Sequence, residues 1–183
     1  MEQERREKTK NQKSPRKAPE SGAAFASVSS HGDLDGFDRR ILSALQEDAS
    51  LTNAALSERA NLSPSQCSRR RIALEEAGYI KGYRAELDAP RLGYAVEAFS
   101  RVTLIDHAEG TTEAITGFFD GLEEVLAAYT LTGDADYLLH VRVKSLDDLA
   151  AFVHRRLLPH PKVAQVRSDI VLQRAGRVKG VPV

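Results

Sequence analysis

Residues 52–77 read TNAALSERANLSPSQCSRRRIALEEA, in which two short helical patterns flank Asn61-Leu62-Ser63-Pro64. Ser63 can cap the second helix, and Pro64 suits its first turn because the missing N–H is not needed there. This second helix carries three consecutive arginines, Arg69 to Arg71. A helix, a tight turn and an arginine-bearing helix form the unit with which small domains enter the major groove of DNA. The stretch therefore predicts a DNA-binding helix-turn-helix.

The residues on either side extend this unit into a three-helix domain. Asp35 can cap a helix that precedes it, and the second helix is expected to start at Thr52. In the arginine-bearing helix, Cys67, Leu74 and the Ile72 side are expected to face inward, and the helix should end before Gly78. Residues 79–87, YIKGYRAEL, have the pattern of a short hairpin. Such a hairpin would be the wing of a winged helix-turn-helix.

After residue 95 the apolar periodicity changes between strand and helix values. Strands are expected at 96–104, 125–132, 137–144 and 163–173, and helices around 115–122 and 146–157. The order β-α-β-β-α-β predicts a ferredoxin-like sandwich, in which two helices cover one face of a four-stranded sheet. Val102, Leu131 and Val171 are assigned to the other face. Because these side chains would otherwise meet water, a homodimer through that face is expected.

The predicted fold class is therefore α+β, with a winged helix-turn-helix followed by a ferredoxin-like domain. A Lys/Arg- and Ser-rich tail lacks the apolar residues needed for a core and is expected to be disordered. The segments are a tail at 1–32, the DNA-binding domain at 33–87, a linker at 88–94, the ferredoxin-like domain at 95–173 and a C-terminal tail at 174–183.

The formal net charge is zero, but the charge is unevenly distributed. Residues 1–20 hold seven basic and four acidic side chains, residues 33–87 eight and nine, and residues 88–173 eight and thirteen. The last ten residues hold three basic side chains and none that is acidic. A nucleic-acid binder is usually basic over its binding face. Weak binding by one copy, and several copies acting together, are therefore expected.

Other features narrow the class of protein. No apolar run approaches the roughly 20 residues of a membrane helix, and the charged N-terminus does not read as a secretory signal. A single cysteine, Cys67, excludes an internal disulfide and suits a reducing cytosol. No paired Cys/His spacing, glycine-rich phosphate loop or nucleophile elbow is present. An enzyme and a metal site are therefore not expected.

Four motifs, in order, resemble those of the Lrp/AsnC (feast/famine) family of transcriptional regulators. They are LDGFDRRIL at 34–42, LSPSQCSRR at 62–70, LEEAGYIKGY at 74–83 and GDADY at 133–137. The resemblance covers residues 34–173 and implies a cytoplasmic, nucleoid-associated regulator, dimeric through its second domain. It also implies that dimers assemble further, into tetramers or octamers, and that the effector is an amino acid. Ala135 and Arg71 depart from the family pattern, which has an aromatic residue and a buried aliphatic residue at these positions.

The arginine-bearing helix is expected to contact double-stranded DNA. Gln66 can pair with adenine, Arg69 or Arg70 with guanine, and the remaining arginine with phosphate. Alternatively, the three arginines form a solvated surface that is paired with Glu75 and Glu76. The predicted DNA-binding residues are Thr52, Asn53, Ser63, Ser65, Gln66, Ser68, Arg69, Arg70 and Arg71.

The Gly133–Tyr137 turn is suited to an amino-acid effector. Glycine lets the backbone approach a carboxylate, and Asp134 or Asp136 can meet an ammonium group. Alternatively, the aspartates only close a tight turn. By resemblance, the pocket lies between subunits and includes the start of the last strand, from Arg167. The predicted effector-binding residues are Gly133, Asp134, Asp136, Tyr137, Ser168, Asp169 and Ile170.

Together these features predict a sequence-specific transcriptional regulator that responds to an amino acid or a related small molecule and needs no cofactor. Two alternatives stay open. The first is a nucleoid-type architectural protein that wraps DNA with little sequence preference. The second is an enzyme similar to the siroheme decarboxylases, which resemble this family and would use histidines of the second domain such as His140.

Overall fold

Two separate apolar cores organise the chain. The computed structural model describes residues 34–108 and 110–183, so the predicted tail at 1–32 lies outside the described residues. Three helices enclose the first core: α1 (Gly36–Glu47), α2 (Asn53–Ala60) and α3 (Pro64–Glu76). The buried side chains of this core are Ile41, Leu42, Ala44, Leu45, Leu56, Ala60, Cys67 and Leu74.

Side-chain caps set where these helices begin. The Asp35 carboxylate accepts hydrogen bonds from two backbone N–H groups in the first turn of α1. Ser63 accepts from the Gln66 N–H at 3.3 Å, and the Gln66 side chain accepts from the Ser63 N–H at 2.9 Å. Asn61 closes the α2–α3 turn with a left-handed backbone, at φ 55°. The helix-turn-helix therefore forms where its capping residues predict it.

The segment 79–87, predicted as the hairpin of the wing, contains no paired strands in the structure. The segment runs without strand pairing and is exposed over most of its length. A hairpin here would have arms of about four residues, and an isolated two-stranded pair is only marginally stable in water. The Tyr83 hydroxyl instead donates a hydrogen bond to Glu75 of α3 at 2.8 Å.

The second core lies between a four-stranded sheet and the helices that cover it. Its elements are β1 (Val96–Leu104), α4 (Thr111–Asp120), β2 (Val125–Thr130), β3 (Tyr137–Val143), α5 (Leu146–Phe152) and β4 (Val163–Ile170). The helix α5 continues into a π-helical turn at Val153–Leu157. The strands are antiparallel in the order β2-β3-β1-β4. This confirms the predicted β-α-β-β-α-β arrangement.

Three strands end earlier than predicted, and the last strand shows the reason. The predicted end was residue 173, but β4 ends at Ile170, whose partner is Ala98. Because β1 begins at Val96, which is opposite position 172 in this register, residue 173 has no strand to pair with. The length of a strand thus depends on its neighbour, which its own apolar pattern does not reveal.

Alternation along the strands divides the sheet into a covered face and an open face. In β3, Tyr137, Leu139, Val141 and Val143 are buried beneath the helices, whereas Leu138, His140 and Arg142 lie on the open face. The register places Phe99, Arg101 and Thr103 of β1, and Gln165, Arg167 and Asp169 of β4, on the same open face.

Two residues were assigned to the wrong side of their elements. Val102 is fully buried on the covered face, because it lies two residues from Ser100 and Leu104, which are also buried. Ile72 is 50% exposed. It precedes the buried Leu74 by two positions, which is about 200° of helical rotation, so the two side chains point in opposite directions. In the described part of the chain, no helix combines the length and the apolar character that crossing a membrane requires.

Candidate functional site

The three arginines of α3 have different surroundings, and Arg70 is the most constrained. Its guanidinium lies 2.8 Å from a carboxylate oxygen of Asp35 and 2.8 Å from one of Asp38. It also lies 5.3 Å from the centre of the Phe37 ring. The hydrogen bond with Asp38 raises the pKa of the Arg70 guanidinium. Arg70 therefore fastens α3 to the first turn of α1.

Arg71 is held within its own helix and by the segment that follows. Its Nε donates to Glu75 at 3.2 Å and to the Tyr83 hydroxyl at 2.8 Å. The guanidinium lies 4.6 Å from the centre of the Tyr83 ring, a cation–π distance. Burial and the hydrogen bond to Glu75 raise the pKa of the Tyr83 phenol. The alternative that the arginines pair with acidic residues of α3 thus describes the geometry of Arg71.

Arg69 is exposed and has no ionic partner among residues 34–108 and 110–183. It lines a shallow depression with Gln66, Arg70 and Ala73. The side-chain oxygen of Gln66 accepts the hydrogen bond that caps α3, so the NH₂ group of the same side chain is left to face outward. Arg69 and Gln66 therefore present cationic and amide donors on one surface, and such donors are suited to phosphates and to the edges of bases.

The remaining predicted DNA-binding residues lie at the starts of α2 and α3. Thr52 caps α2 through a hydrogen bond from the Ala55 N–H at 3.2 Å. Asn53 has a buried side-chain oxygen with no hydrogen-bond partner in the described chain. Ser65 is exposed, with its hydroxyl 3.1 Å from that of Ser63, and Ser68 is half-buried. The structure does not test contact with DNA, so the assignment of these residues stays a prediction.

Asp136 fastens the Gly133–Tyr137 turn to β1. One oxygen of its carboxylate accepts from the Leu104 N–H at 2.7 Å, and the other lies 3.4 Å from His107 Nε2. The Asp136 N–H donates to the Val102 carbonyl at 3.0 Å. The alternative that an aspartate closes this turn therefore describes Asp136, whose hydrogen bonds are internal.

An open cleft lies beside this turn and brings together part of the predicted effector set. Asp134 and Arg167 are exposed and have no ionic partner among the described residues. They supply one negative and one positive group to the same cleft. The residues that line it are Arg101, Thr103, Leu131, Gly133, Asp134, Ala135, Gln165 and Arg167.

The other predicted effector-binding residues lie elsewhere. Tyr137 is buried, with its ring 5.3 Å from that of Phe119. Ser168 turns to the covered face, where its hydroxyl lies 2.8 Å from that of Ser100, and Ile170 shares that orientation. Asp169 lies on the open face and is ion-paired with Arg101. Strand alternation thus separates residues that are adjacent in sequence.

Sequence reasoning missed Arg101, Thr103 and Gln165 as residues of the cleft. The alternation in β1 already separates Arg101 and Thr103 from the apolar positions 102 and 104. However, only the pairing of β1 with β4 brings them to Gln165 and Arg167. The available signal was therefore polar alternation in β1, and the missing information was the strand register.

A second polar group on the open face surrounds Glu97. Its carboxylate lies 2.7 Å from His140 Nε2 and forms an ion pair with Arg142. The His140 ring stacks on Phe99 with the ring centres 4.8 Å apart. Burial would raise the pKa of Glu97, but the hydrogen bond with His140 and the charge of Arg142 lower it overall. His140 thus belongs to an internally compensated charge cluster.

Family models match both halves of the chain. The model described as winged helix-turn-helix DNA-binding matches residues 34–81, and that described as Lrp/AsnC ligand binding domain matches residues 97–179. The transcriptional regulator AzlB of Bacillus subtilis is 35% identical over 150 residues, which cover 82% of this chain and 96% of AzlB. The leucine-responsive regulatory protein of Escherichia coli K12 is 36% identical over 141 residues, 77% of this chain and 86% of that protein.

The chain belongs to the Lrp/AsnC family. Solved structures of the family agree with this. A regulator from Neisseria meningitidis in complex with L-Met has a TM-score of 0.78 and 37% identity, covering 82% of this chain and 97% of that one. Escherichia coli AsnC has a TM-score of 0.74 and 26% identity, covering 83% of this chain and 100% of that one.

Membership in the Lrp/AsnC family confirms the predicted class of function. The protein is a transcriptional regulator with a DNA-binding helix-turn-helix and a ligand-binding domain. The relatives named above are regulators and not enzymes. This supports the prediction that the protein has no catalytic activity.

The different surroundings of Arg69 and Arg70 lead to a stability prediction. Arg70→Ala removes hydrogen bonds to two carboxylates and should lower the free energy of unfolding by about 1–2 kcal/mol. Arg69→Ala, at an exposed position, should change it by no more than about 0.5 kcal/mol. Urea unfolding followed by circular dichroism measures both changes. Equal effects would show that the ion pairs of Arg70 do not stabilise the domain.

Proposed function

We propose that α3 reads operator DNA chiefly through Arg69 and Gln66. The observation that carries this proposal is the isolated charge of Arg69, which faces outward beside the Gln66 amide. A guanidinium can form two hydrogen bonds with guanine, and the Gln66 NH₂ group, whose neighbouring oxygen is held in the cap of α3, can donate to an acceptor on a base edge such as adenine N7. Arg70 is already engaged with carboxylates, so DNA would have to compete with them for its donors. The base-reading role therefore falls to Arg69 among the three arginines.

The other predicted DNA-binding residues are proposed to position the helix on the phosphate backbone. Thr52 and Asn53 begin α2, and Ser63 and Ser65 begin α3. N–H groups and hydroxyls at helix starts favour anionic partners. Ser68 and Arg71 flank the Arg69 surface and complete the predicted set. Such contacts fix register without reading sequence.

We also propose that two copies pair through the open face of the sheet. This face carries Phe99, Leu138 and Tyr129, and the Tyr129 side chain is 53% exposed. The charge of Glu97 is compensated there by that of Arg142, and His140 is hydrogen-bonded to the same carboxylate, which lowers the cost of covering the pair. A dimer would present two α3 helices to half-sites separated by one helical turn of DNA or a multiple of it. Larger assemblies, tetramers or octamers, would be built from such dimers.

The cleft beside the Gly133–Tyr137 turn is the proposed site for an amino-acid effector. Arg167 can pair with the carboxylate of a free amino acid, and Asp134 with its ammonium group. Both side chains are without ionic partners in the described chain, whereas Asp136 already accepts from Leu104. The family description as a ligand binding domain, and the L-Met complex of the relative from Neisseria meningitidis, support an effector of this class.

A transcriptional regulator must reach chromosomal DNA. We therefore propose a cytoplasmic, nucleoid-associated protein whose effector changes how dimers pack and so how α3 helices are spaced. The architectural alternative, a protein that wraps DNA, requires little sequence preference. A footprint with no preferred site would favour it over sequence-specific control.

Arg69→Ala should weaken binding to operator DNA by about tenfold or more, because one or more hydrogen bonds per half-site are lost. Genomic fragments selected by the wild-type protein supply the DNA, and fluorescence anisotropy measures the affinity. Arg155→Ala, which removes an exposed arginine from the ligand-binding half, is the control. If both variants bind like the wild type, α3 does not read DNA through Arg69. If only the salt dependence falls, Arg69 contacts phosphate.

Isothermal calorimetry against a panel of free amino acids tests the cleft. One or more amino acids should bind, and Asp134→Asn and Arg167→Gln should each weaken binding by about tenfold or more through loss of a charge-assisted hydrogen bond. Glu113→Gln, at an exposed position of α4, should leave the affinity unchanged. A panel without any binder, or binding that survives both substitutions, contradicts this site.

Leu138→Asp should convert the dimer into single chains, because it places a charge in the centre of the open face. Leu146→Asp introduces the same charge at an exposed position outside this face, and it should leave the dimer intact. Light scattering gives the mass, and circular dichroism checks that both variants are folded. A folded Leu138→Asp protein that keeps the wild-type mass would exclude the sheet face as the interface.

A further inference from the structure

The segment that follows β4 returns to the first core. Within it, the Val181 N–H donates to the Gln46 side-chain oxygen at 2.6 Å, and the Gln46 amide donates to the Val181 carbonyl at 2.9 Å. Gln46 lies near the end of α1, 135 residues earlier in the chain. One side chain therefore satisfies both backbone groups of Val181, as a neighbouring strand would.

The close approach of this segment to Gln46 leaves no room for a side chain at position 180 unless the Gln46 amide moves. A Cβ atom added to Gly180 would lie 2.1 Å from the Gln46 side-chain oxygen. Any larger residue would push the Gln46 amide away from Val181. The hydrogen bonds and the glycine thus depend on each other.

The segment also contacts the surroundings of Gln46 and the start of the sheet. Val181 and Val183 line a groove together with Leu42, Leu45 and residues 79–86. Further back, the Arg174 guanidinium lies 3.7 Å from Glu86 and 3.9 Å from Glu97. Glu97 belongs to β1, so the segment bridges the two halves of the chain.

Among the described helices and strands, extensive contacts occur only within each core and not between them. The groove that holds the segment shares no residue with the depression formed by Gln66, Arg69, Arg70 and Ala73. A docked segment therefore leaves the exposed surface of Arg69 uncovered.

We propose that residues 174–183 are a strap that docks on the DNA-binding half of the same chain. Gln46 anchors the strap, and Arg174 ties its beginning to the ligand-binding half. The strap holds the two halves together while α3 remains available, and this last point rests on the proposed DNA-binding function. Because β4 carries Arg167 and leads directly into the strap, the two halves are connected through one continuous stretch of chain.

A disulfide between positions 46 and 180 tests the docking directly. The Cβ position at Gly180 lies 3.1 Å from Gln46 Cβ, so a backbone shift of a few tenths of an ångström brings the pair into the range of about 3.5–4.5 Å that disulfides show. The variant with Gln46→Cys and Gly180→Cys should oxidise readily to a cross-link within one chain, seen on a non-reducing gel. Cys67 is fully buried and burial raises its pKa, so it should not compete.

The matched control combines Arg39→Cys with Gly180→Cys. Arg39 is exposed on α1 but precedes Gln46 by seven residues, about 10 Å along the helix axis. It should form no more than a trace of cross-link under the same conditions. A cross-link between two chains would show that the strap docks on a second copy, and equal yields from both pairs would show that it does not dock. Either result overturns the proposal.

Limited trypsin digestion tests the role of Gln46 in the otherwise native chain. Arg174, Arg177 and Lys179 provide cleavage sites within the strap, and mass spectrometry follows their loss. Gln46→Ala should speed cleavage by about fivefold or more, because two hydrogen bonds are removed. Ser43→Ala, at an exposed position of the same helix, should not. Equal rates for Gln46→Ala and wild type would exclude Gln46 as the anchor.

DNA binding by the cross-linked protein tests whether the docked strap leaves α3 available. Oxidised and reduced forms should bind the same fragment with affinities within about twofold of each other, since the strap and Arg69 occupy different surfaces. Loss of binding on oxidation would overturn this part of the proposal. If the wild type itself binds no DNA, the proposed function fails, and the cross-link still decides whether the strap docks.

Discussion

The DNA-binding half depends on the contact between the Arg70 guanidinium and the carboxylates of Asp35 and Asp38. These carboxylates are fixed because they form the cap of α1, and the cap forms because Asp35 accepts hydrogen bonds from the first turn of the helix. A single cation thus links the beginning of one helix to the middle of another. Backbone hydrogen bonds to Asp35 also lower its pKa, so the carboxylate stays ionised under ordinary conditions. Together with the apolar core that α1 and α3 share, this link holds α3, and with it Arg69, in its orientation.

Much of this arrangement could be predicted because its causes are local. Capping residues and helical periodicity locate α1 to α3 without any knowledge of the fold. The different contacts of the three arginines could not be predicted. The partners of Arg70 lie 32 and 35 residues earlier in the sequence and reach it only when the helices pack. The absence of strand pairing at 79–87 could not be predicted for a related reason. A hairpin needs support beyond its own two arms, and the residues at 79–87 contact α3 instead.

The cleft proposed for the effector illustrates the same limit of sequence-based prediction in a sheet. Apolar alternation predicted the order of strands and helices, but it did not fix which residues meet across strands. Register brings Arg101 opposite Arg167, whereas Ser168, one residue further along, points to the covered face beside Ser100. A set of residues chosen as a run in sequence is therefore divided between two faces. Conversely, Gln165 and Thr103 enter the cleft from distant parts of the chain.

The hydrogen bonds of Asp136 have a consequence for selectivity. This carboxylate and its own N–H fasten the Gly133–Tyr137 turn, the rim of the proposed effector cleft, to β1 through hydrogen bonds within the chain. A preorganised rim loses little conformational entropy on binding, so more of the interaction energy remains as affinity. A rim that is held in one conformation would not adapt to ligands of different shape. Discrimination among related small molecules would then arise from steric fit, because a ligand whose shape differs from that of the cleft could not make the same contacts.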